Sequence, residues 1–494
     1  MYNKQNKKRR RLLPEPAKPT QENLHMDQKI MIFGLGLTGN ALLDILLEEK
    51  TFPTANILVS DQKEGAFAHF DSSVGIRENR FLFHMDRKNY TDLLSYLTAG
   101  DYFVCLAEGI EHCVLMETCL QSGIHFICSS DDCFYDEQNK YFLSEQEHLK
   151  QAAALRQQYE KAATSILQFG CNPGLVSIFT KKALKDIVYE DTETFVSQNR
   201  WAMIRLLEHR EYAALAEYLG VRRIIEIDLD TTRTDIEEDP HTLYSTWNTT
   251  DFETEMNRRA LFKLGTLDSL KEWLEDFQIT ADQLHYYNRT DGTVILERSG
   301  KKTFLTGKGP GGGVEACVIP HEELFSLYEY LSVRNQEEEI RYAPTVMFLY
   351  RPCPLAFSSL FHADNRRCEP IVKDRVISGG ETVGISIEGE KFCPRFVYTK
   401  LLISPPEHAG AVGEDEEPAF TVTPTVYQVA ASLYCAIKYI IRHPEEGVLY
   451  PENLDADEVL SDVSLLLPVF SVKAEPFFTT CRKNHETQRT PVYD

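Results

Sequence analysis

The sequence predicts an α/β protein, with a Rossmann-type doubly wound parallel sheet followed by a second, α+β substrate or dimerisation domain. Three observations predict it. Strand-like and helix-like stretches alternate from Lys29 to Asn172, the pattern that builds a parallel sheet. The turn Gly34-x-Gly36-x-x-Gly39 falls between the first strand and the first helix, as in dinucleotide-binding folds. An acid, Asp61, closes the second strand, 22 residues after Gly39.

Residues 1–27 read as a disordered tail, because Lys7, Lys8, Arg9, Arg10 and Arg11 form a basic block, three prolines follow and no apolar periodicity is present. Ile30–Phe33 is a short apolar strand, followed by the glycine turn and a helix from about Asn40 to Glu49. Further strands are predicted at Ile57–Ser60, Arg80–His84, Asp101–Ala107 and His125–Ser129, with helices between most of them. A polar helix, Glu145–Thr164, and a strand, Ser165–Phe169, complete a domain over residues 28–175. Residues 176–420 carry strand-like runs at Arg223–Asp228, Gly292–Glu297, Thr345–Leu349 and Thr382–Ile387, with fewer regular helices and a glycine-rich loop, Gly307–Gly313. Gly410–Pro418 reads as an exposed acidic loop. A long helix, about Val422–Arg442, opens a C-terminal region over residues 421–494 whose helices are expected to return to the first sheet.

A chain of 494 residues fits two or three domains. Its formal charge of −23 argues against nucleic acid as a partner and suits a cationic one. No apolar run reaches the roughly 18 residues of a membrane-spanning helix. The 12 cysteines form no C-x-x-C pair, so neither a metal site nor a disulfide framework is expected and a reducing cytoplasm is.

In the glycine turn, Gly34 permits the bend, Gly36 lets a pyrophosphate approach, and Gly39 lets helix and strand pack closely. Leu37 and Thr38 lie between them at the helix start, where free N–H groups and the helix dipole favour phosphate. Asp61 suits the ribose 2′-hydroxyl and repels a 2′-phosphate, which favours NAD over NADP. Asn172-Pro173-Gly174 falls where the domain's last strand ends, near the crevice in which such folds bind ligands. Asp228-Leu-Asp230 and the block Thr246-Trp247-(x)4-Phe252-(x)2-Glu255 combine an aromatic face with carboxylates. Together these can hold a protonated amine by cation–π attraction and charge-assisted hydrogen bonds.

The glycine turn, Asn172-Pro173-Gly174, the Trp247–Glu255 block, His321-Glu322-Glu323, Gln428-Val429-Ala430-Ala431-Ser432 and Pro451-Glu452 stand in one order along the chain. In that order they resemble the bacterial homospermidine synthases, relatives of the saccharopine dehydrogenase-like reductases, over roughly Lys29 to Phe478. The resemblance implies a homodimer that joins two putrescines with NAD as a recycled hydride carrier and ammonia as the leaving group. It implies that Trp247 is the cation–π residue, Glu255 its carboxylate partner, Asn172 the asparagine beside the nicotinamide and His321 a proton shuttle. It places Asp228, Glu381, Glu323, Asp132 and either Glu108 or Glu111 around the substrate. Two segments depart from the family, Ala260–Leu267 and Lys308–Gly313, and Asp228 and Glu381 exchange the family's glutamate and aspartate. Two other readings stay open: a saccharopine-type oxidoreductase acting on an amine and a 2-oxo acid, and an NAD-binding protein that has lost turnover.

Overall fold

Strand β1 (Ile30–Phe33) is buried along its whole length and lies at the centre of a parallel sheet. The computed structural model of the chain describes residues 27–130, 141–276, 280, 283–309, 312–362, 367–403 and 422–477. The basic block and the Gly410–Pro418 segment lie outside the described residues. With β2 (Ile57–Asp61), β3 (Arg80–Leu82), β4 (Tyr102–Cys105), β5 (His125–Cys128), β6 (Ser165–Ile166) and Val448–Leu449, the sheet has seven strands. Their order is Val448–Leu449, β6, β5, β4, β1, β2, β3, so the topological switch lies between β1 and β4. Both faces are covered, which is why the strands read as unbroken apolar runs. Ile30 and Ile32 face one core and Met31 and Phe33 the other.

Helix α1 (Leu37–Glu49) follows the glycine turn, and α2 (Ala68–Ser73), α3 (His112–Ser122) and α4 (Tyr141–Gln158) complete this domain. The chain then enters α5 (Leu175–Glu190), which packs beneath a second sheet of 11 strands. Two more helices, Thr194–Glu208 and Tyr212–Leu219, precede that sheet. The region is therefore more helical at its start than the sequence suggested, with Val176, Phe179, Ala183, Leu184 and Ile187 forming the buried side of α5.

At the middle of the second sheet lies β7 (Val221–Asp230), parallel to Thr345–Arg351 and antiparallel to Val376–Gly389. Alternation divides its side chains. Ile225, Ile227 and Leu229 join Met347, Leu349, Phe262 and Trp273 in an apolar core. Glu226, Asp228 and Asp230 point to the opposite face, which looks toward the first domain. Register adds Phe348 beside Glu226, Tyr350 beside Asp228 and Glu381 beside Asp230.

The glycine-rich segment is a hairpin and not a loop, with Phe304–Gly309 paired to Gly312–Ile319 and Lys308 opposite Gly313. A glycine is required at position 307 because a Cβ there would stand 2.0 Å from the Phe477 ring. The C-terminal region divides between the domains. The Pro424–Arg442 helix packs along α1, with Tyr434 hydrogen-bonded to Thr51 at 2.9 Å, and Val448–Leu449 extends the first sheet beside β6. Val469–Lys473, by contrast, pairs with Arg395–Ile403 in the second sheet, and Phe477 plugs that sheet's core. Fully buried, Phe477 also donates its N–H to Glu388. Phe477→Ala is expected to lower stability by roughly 3–5 kcal/mol, the usual loss for a buried phenylalanine. Denaturant unfolding measures it, and an unchanged midpoint would show that the C-terminal plug carries no load.

Candidate functional site

At the switch point, Gly34 has φ +102°, and a Cβ on it would meet Leu106 backbone at 2.7 Å. A Cβ on Gly39 would lie 2.0 Å from Gly34 O, so helix and turn touch directly. Gly36 begins α1 without a side-chain cap, and the space beside it is open. The first N–H groups of α1 therefore face that space with no helical partner. Asp61 braces the turn: its two oxygens accept the Leu35 and Lys63 N–H groups, each at 2.8 Å. A cradle of open backbone, helix N-terminus and strand-end carboxylate fits a dinucleotide.

The cradle opens into a cavity of about 840 Å³ that runs between the domains and ends on the acidic face of β7. Glu381 is buried there and Asp228 half-buried, and the two carboxyl groups lie close together. Burial raises both; hydrogen bonds from Glu381 and Asn172 moderate Asp228, whereas Glu381 stands well above the carboxylate range. The pair therefore shares a proton. Asn172 Nδ2 reaches Asp228 at 3.5 Å, and among the described residues its buried Oδ1 has no hydrogen-bond partner. The Thr425 hydroxyl donates to Glu381. Behind this pair Asp230, pushed up to about 6 chiefly by burial, accepts the Thr246 hydroxyl at 2.6 Å.

That bond fixes the residue before Trp247. The next residue, Asn248, caps the Thr249–Asn257 helix, its side chain accepting the N–H groups of Thr250 and Asp251. Trp247 stands just before the cap and Phe252 one turn inside, with ring centroids 6.4 Å apart and edge-on. This hydrophobic staple sets the entry angle of the chain. Trp247 Nε1 donates to Tyr350 Oη at 3.2 Å, so the indole is held at both ends. Two turns along the same helix, Glu255 reaches the cavity, pushed up to about 7 by burial against the attraction of His321.

His321 lies with its ring centroid 4.5 Å from that of Phe348 and bonds through Nδ1 to Glu323. Glu322 stands 3.3 Å from the same nitrogen. Burial disfavours the charged imidazole, but Glu323, Glu322 and Glu255 outweigh it and hold its pKa well above 6.5. His321, Glu322 and Glu323 bring ligand-type atoms within 4.8 Å of one another. With Nδ1 spent on Glu323, the group is an acid–imidazole network that leaves Nε2 for other partners.

Residues 34–39, Asp61, Asn172 and Pro173 thus line the same cavity as Asp228, Trp247, Glu255, His321 and Glu381. Glu323 stands behind His321 and is fully buried. Of the two candidates for the entrance acid, Glu108 lines the cavity and is bonded by the Asn248 amide. Glu111 turns instead to His148, 3.1 Å away. Asp132 lies outside the described residues. Sequence reasoning missed Tyr350 and Phe348 as supports of the site. Their only signal was their register beside β7, which a sequence does not print.

Fold and pocket first define a class: a Rossmann-domain protein whose dinucleotide cradle opens on an acid-lined chamber of a second domain. Residues 30–166 match the family described as the saccharopine dehydrogenase NADP binding domain. Over most of its length the chain is similar to bacterial homospermidine synthases. It is 22% identical to that of Blastochloris viridis over 446 residues, covering 87% of each chain. It is 20% identical to that of Mesorhizobium japonicum over 445 residues, covering 86% of each. The crystal structure of homospermidine synthase from Legionella pneumophila, in complex with NAD, shares the fold with a TM-score of 0.75. It is 22% identical, with 95% of this chain and 96% of that one covered.

Removing the Glu323 charge should lower the His321 pKa toward 6.5, since the carboxylate favours the imidazolium. In Glu323→Gln the His321 ring is expected to titrate at lower pH by nitrogen-detected NMR. An unmoved titration would detach Glu323 from the histidine.

Proposed function

We propose that the protein joins two putrescine-like diamines by aminoalkyl transfer, releasing ammonia, as a homospermidine synthase-type transferase with NAD as its recycled cofactor. One observation carries this reading. The chamber beyond the dinucleotide cradle is lined by Asp228, Glu255, Glu322 and Glu381, with Glu108 and Asp251 also in its lining, and the described lining residues include no arginine. Such a surface attracts ammonium groups. A 2-oxo acid would need guanidinium clamps for its carboxylate, so the saccharopine-type reaction is disfavoured. The segments that depart from the family, Ala260–Leu267 and Lys308–Gly313, also spare the cavity: none of their described residues lines it, and Ala260, Phe262 and Leu264 pack in the core on the far side of the second sheet. Loss of turnover finds no support there.

Gly34, Gly36, Leu37, Thr38 and Gly39 would hold the pyrophosphate, and Asp61 the adenosine ribose, selecting NAD. Asn172 and Pro173 would border the nicotinamide. The chemistry NAD supplies when bound is reversible hydride transfer, and the proposed reaction uses it without net redox change. Trp247 presents its ring face to the cationic chain. The Asp228–Glu381 pair receives a distal ammonium, which takes the place of the shared proton. Glu255, poised near neutrality, removes the proton that keeps a reacting amine from acting as a nucleophile. His321, oriented by Glu323, passes that proton on. By the same resemblance we take the protein to act as a homodimer in the cytoplasm.

Incubation with NAD⁺ and putrescine is expected to yield homospermidine and ammonia without NADH accumulation, as read by mass analysis of the amines. Net NADH with an aldehyde or imine product would overturn the transferase reading. Trp247→Ala should raise KM for putrescine about 30-fold, the equivalent of roughly 2 kcal/mol of cation–π attraction. Unchanged affinity would remove the indole from the amine site. Glu255→Gln should cut kcat by about 10²–10⁴-fold with NAD still bound. In the wild type, activity should climb as pH rises through about 7, where Glu255 ionises, and that limb should vanish in Glu255→Gln. A limb that persists would assign the ionisation elsewhere.

A further inference from the structure

An indole offers a cation two unlike aspects. Its face is negative and attracts an ammonium, whereas its edge, which carries the N–H, is positive and repels one. In the reaction proposed above, on which this inference rests, Trp247 helps to bind a diamine only if its face is turned to the amine. The backbone alone does not secure this. Trp247 stands outside the helix that follows it, and Asp228, Glu255, Glu322 and Glu381, acids that could draw the N–H inward, line the same cavity.

Tyr350 removes that alternative. An indole nitrogen can only donate, so in the 3.2 Å bond between Trp247 Nε1 and Tyr350 Oη the phenol oxygen is the acceptor. The phenol is itself firmly held. It lies on the Thr345–Arg351 strand with Asp228 as its neighbour in register. Phe252 meets its ring edge-on, with centroids 6.2 Å apart, and Phe348, two residues earlier on the same strand, lies parallel to it at 6.3 Å. Phe348 in turn carries His321, whose ring centroid is 4.5 Å away. Same-face positions on a strand repeat about every 6.6 Å, so one strand sets the acceptor of the indole and the ring beside the imidazole at a fixed interval. Tyr350 is buried at the cavity wall, and burial, with Asp228 and Glu381 adding to it, holds the phenol well above its usual range and so uncharged. It accepts from the indole without becoming an anion that would compete for the ammonium.

We infer that Tyr350 is a further positioning residue of the amine site: by taking the Trp247 N–H it turns the indole face, not its edge, toward the substrate. It acts through Trp247 and on binding, so it changes affinity and leaves the ionisation of Glu255 alone. Packing against Phe252 and Phe348 needs only the ring, which a phenylalanine would supply equally well. The hydroxyl is the part that a purely structural role does not require.

Tyr350→Phe keeps the ring and removes the acceptor. Putrescine affinity is measured by calorimetry on the enzyme loaded with NADH, which leaves no oxidant for a first hydride transfer. Tyr350→Phe is expected to weaken that affinity about threefold to tenfold, the scale of one neutral hydrogen bond. Trp247→Phe keeps an aromatic face but has no N–H to place, so adding Tyr350→Phe to it should change affinity by no more than about twofold. In nitrogen-15 indole spectra the three tryptophans give one N–H signal each, and the signal absent from Trp247→Phe should move upfield in Tyr350→Phe. Wild-type affinity in Tyr350→Phe, an unmoved signal, or the full loss repeated in the Trp247→Phe background would each overturn the inference. The activity limb rising through about 7 should stand unchanged in Tyr350→Phe, and a displaced limb would overturn action by way of Trp247. A wild type that binds putrescine but turns none over, with the two substitutions still coupled, would sink the reaction and leave this role in place.

Discussion

Extended backbone points successive side chains to opposite faces, and on β7 this rule sets Glu226, Asp228 and Asp230 against Ile225, Ile227 and Leu229. The rest of the structure answers to that division. The apolar face needs a core, which the hairpin and the C-terminal Phe477 complete. The acidic face needs hydrogen bonds, protons or cations, because buried carboxylates left alone are strongly unfavourable. Thr246 and Thr232 serve Asp230, Asn172 serves Asp228 and Thr425 serves Glu381. What these groups leave unsatisfied, an ammonium ligand can satisfy. The chamber is thus an under-compensated charge cluster, and a cationic ligand that binds there stabilises the fold as well.

The two domains share one apolar core and are tied further by short local devices. Asn248 caps the Trp247-bearing helix with its carbonyl and reaches Glu108 of the first domain with its amide. Thr423 caps the long C-terminal helix and donates to the Thr246 carbonyl at 2.9 Å. One helix therefore lies along the dinucleotide-binding helix and, at its own start, touches the segment that carries the indole. Cradle and chamber are set at a fixed distance by backbone geometry.

The first domain was legible because its signals are local. A glycine turn, alternating apolar strands and Asp61 each lie within a few residues of the structure they specify. The acidic chamber was legible in part: Trp247 immediately precedes the cap of the short helix that carries Phe252 and Glu255, and their spacing is a staple plus two turns. Asp228 came with Asp230 in a run of alternating acids, yet Glu226 at the same spacing went unread, because a strand's buried acid looks like any other until both faces are known to be covered. Tyr350, Phe348 and Glu381 reach the site by strand pairing across more than 100 residues, and register of that kind is written in no short motif. The hairpin at Gly307–Gly313 was misread for a related reason. Its glycines resemble a loop, but one of them, Gly307, makes room for the Phe477 ring.

The C-terminal segment has a mechanical consequence. Between Pro424 and Phe477 it lies along α1, adds an edge strand beside β6, crosses over, pairs at the edge of the second sheet and inserts Phe477 into that sheet's core. A strap anchored at both sides of a cleft opposes its widening, since opening would peel either strand from its neighbour. The spacing between the cradle and the acidic face of β7 is thereby tied to chain connectivity as well as to side-chain packing.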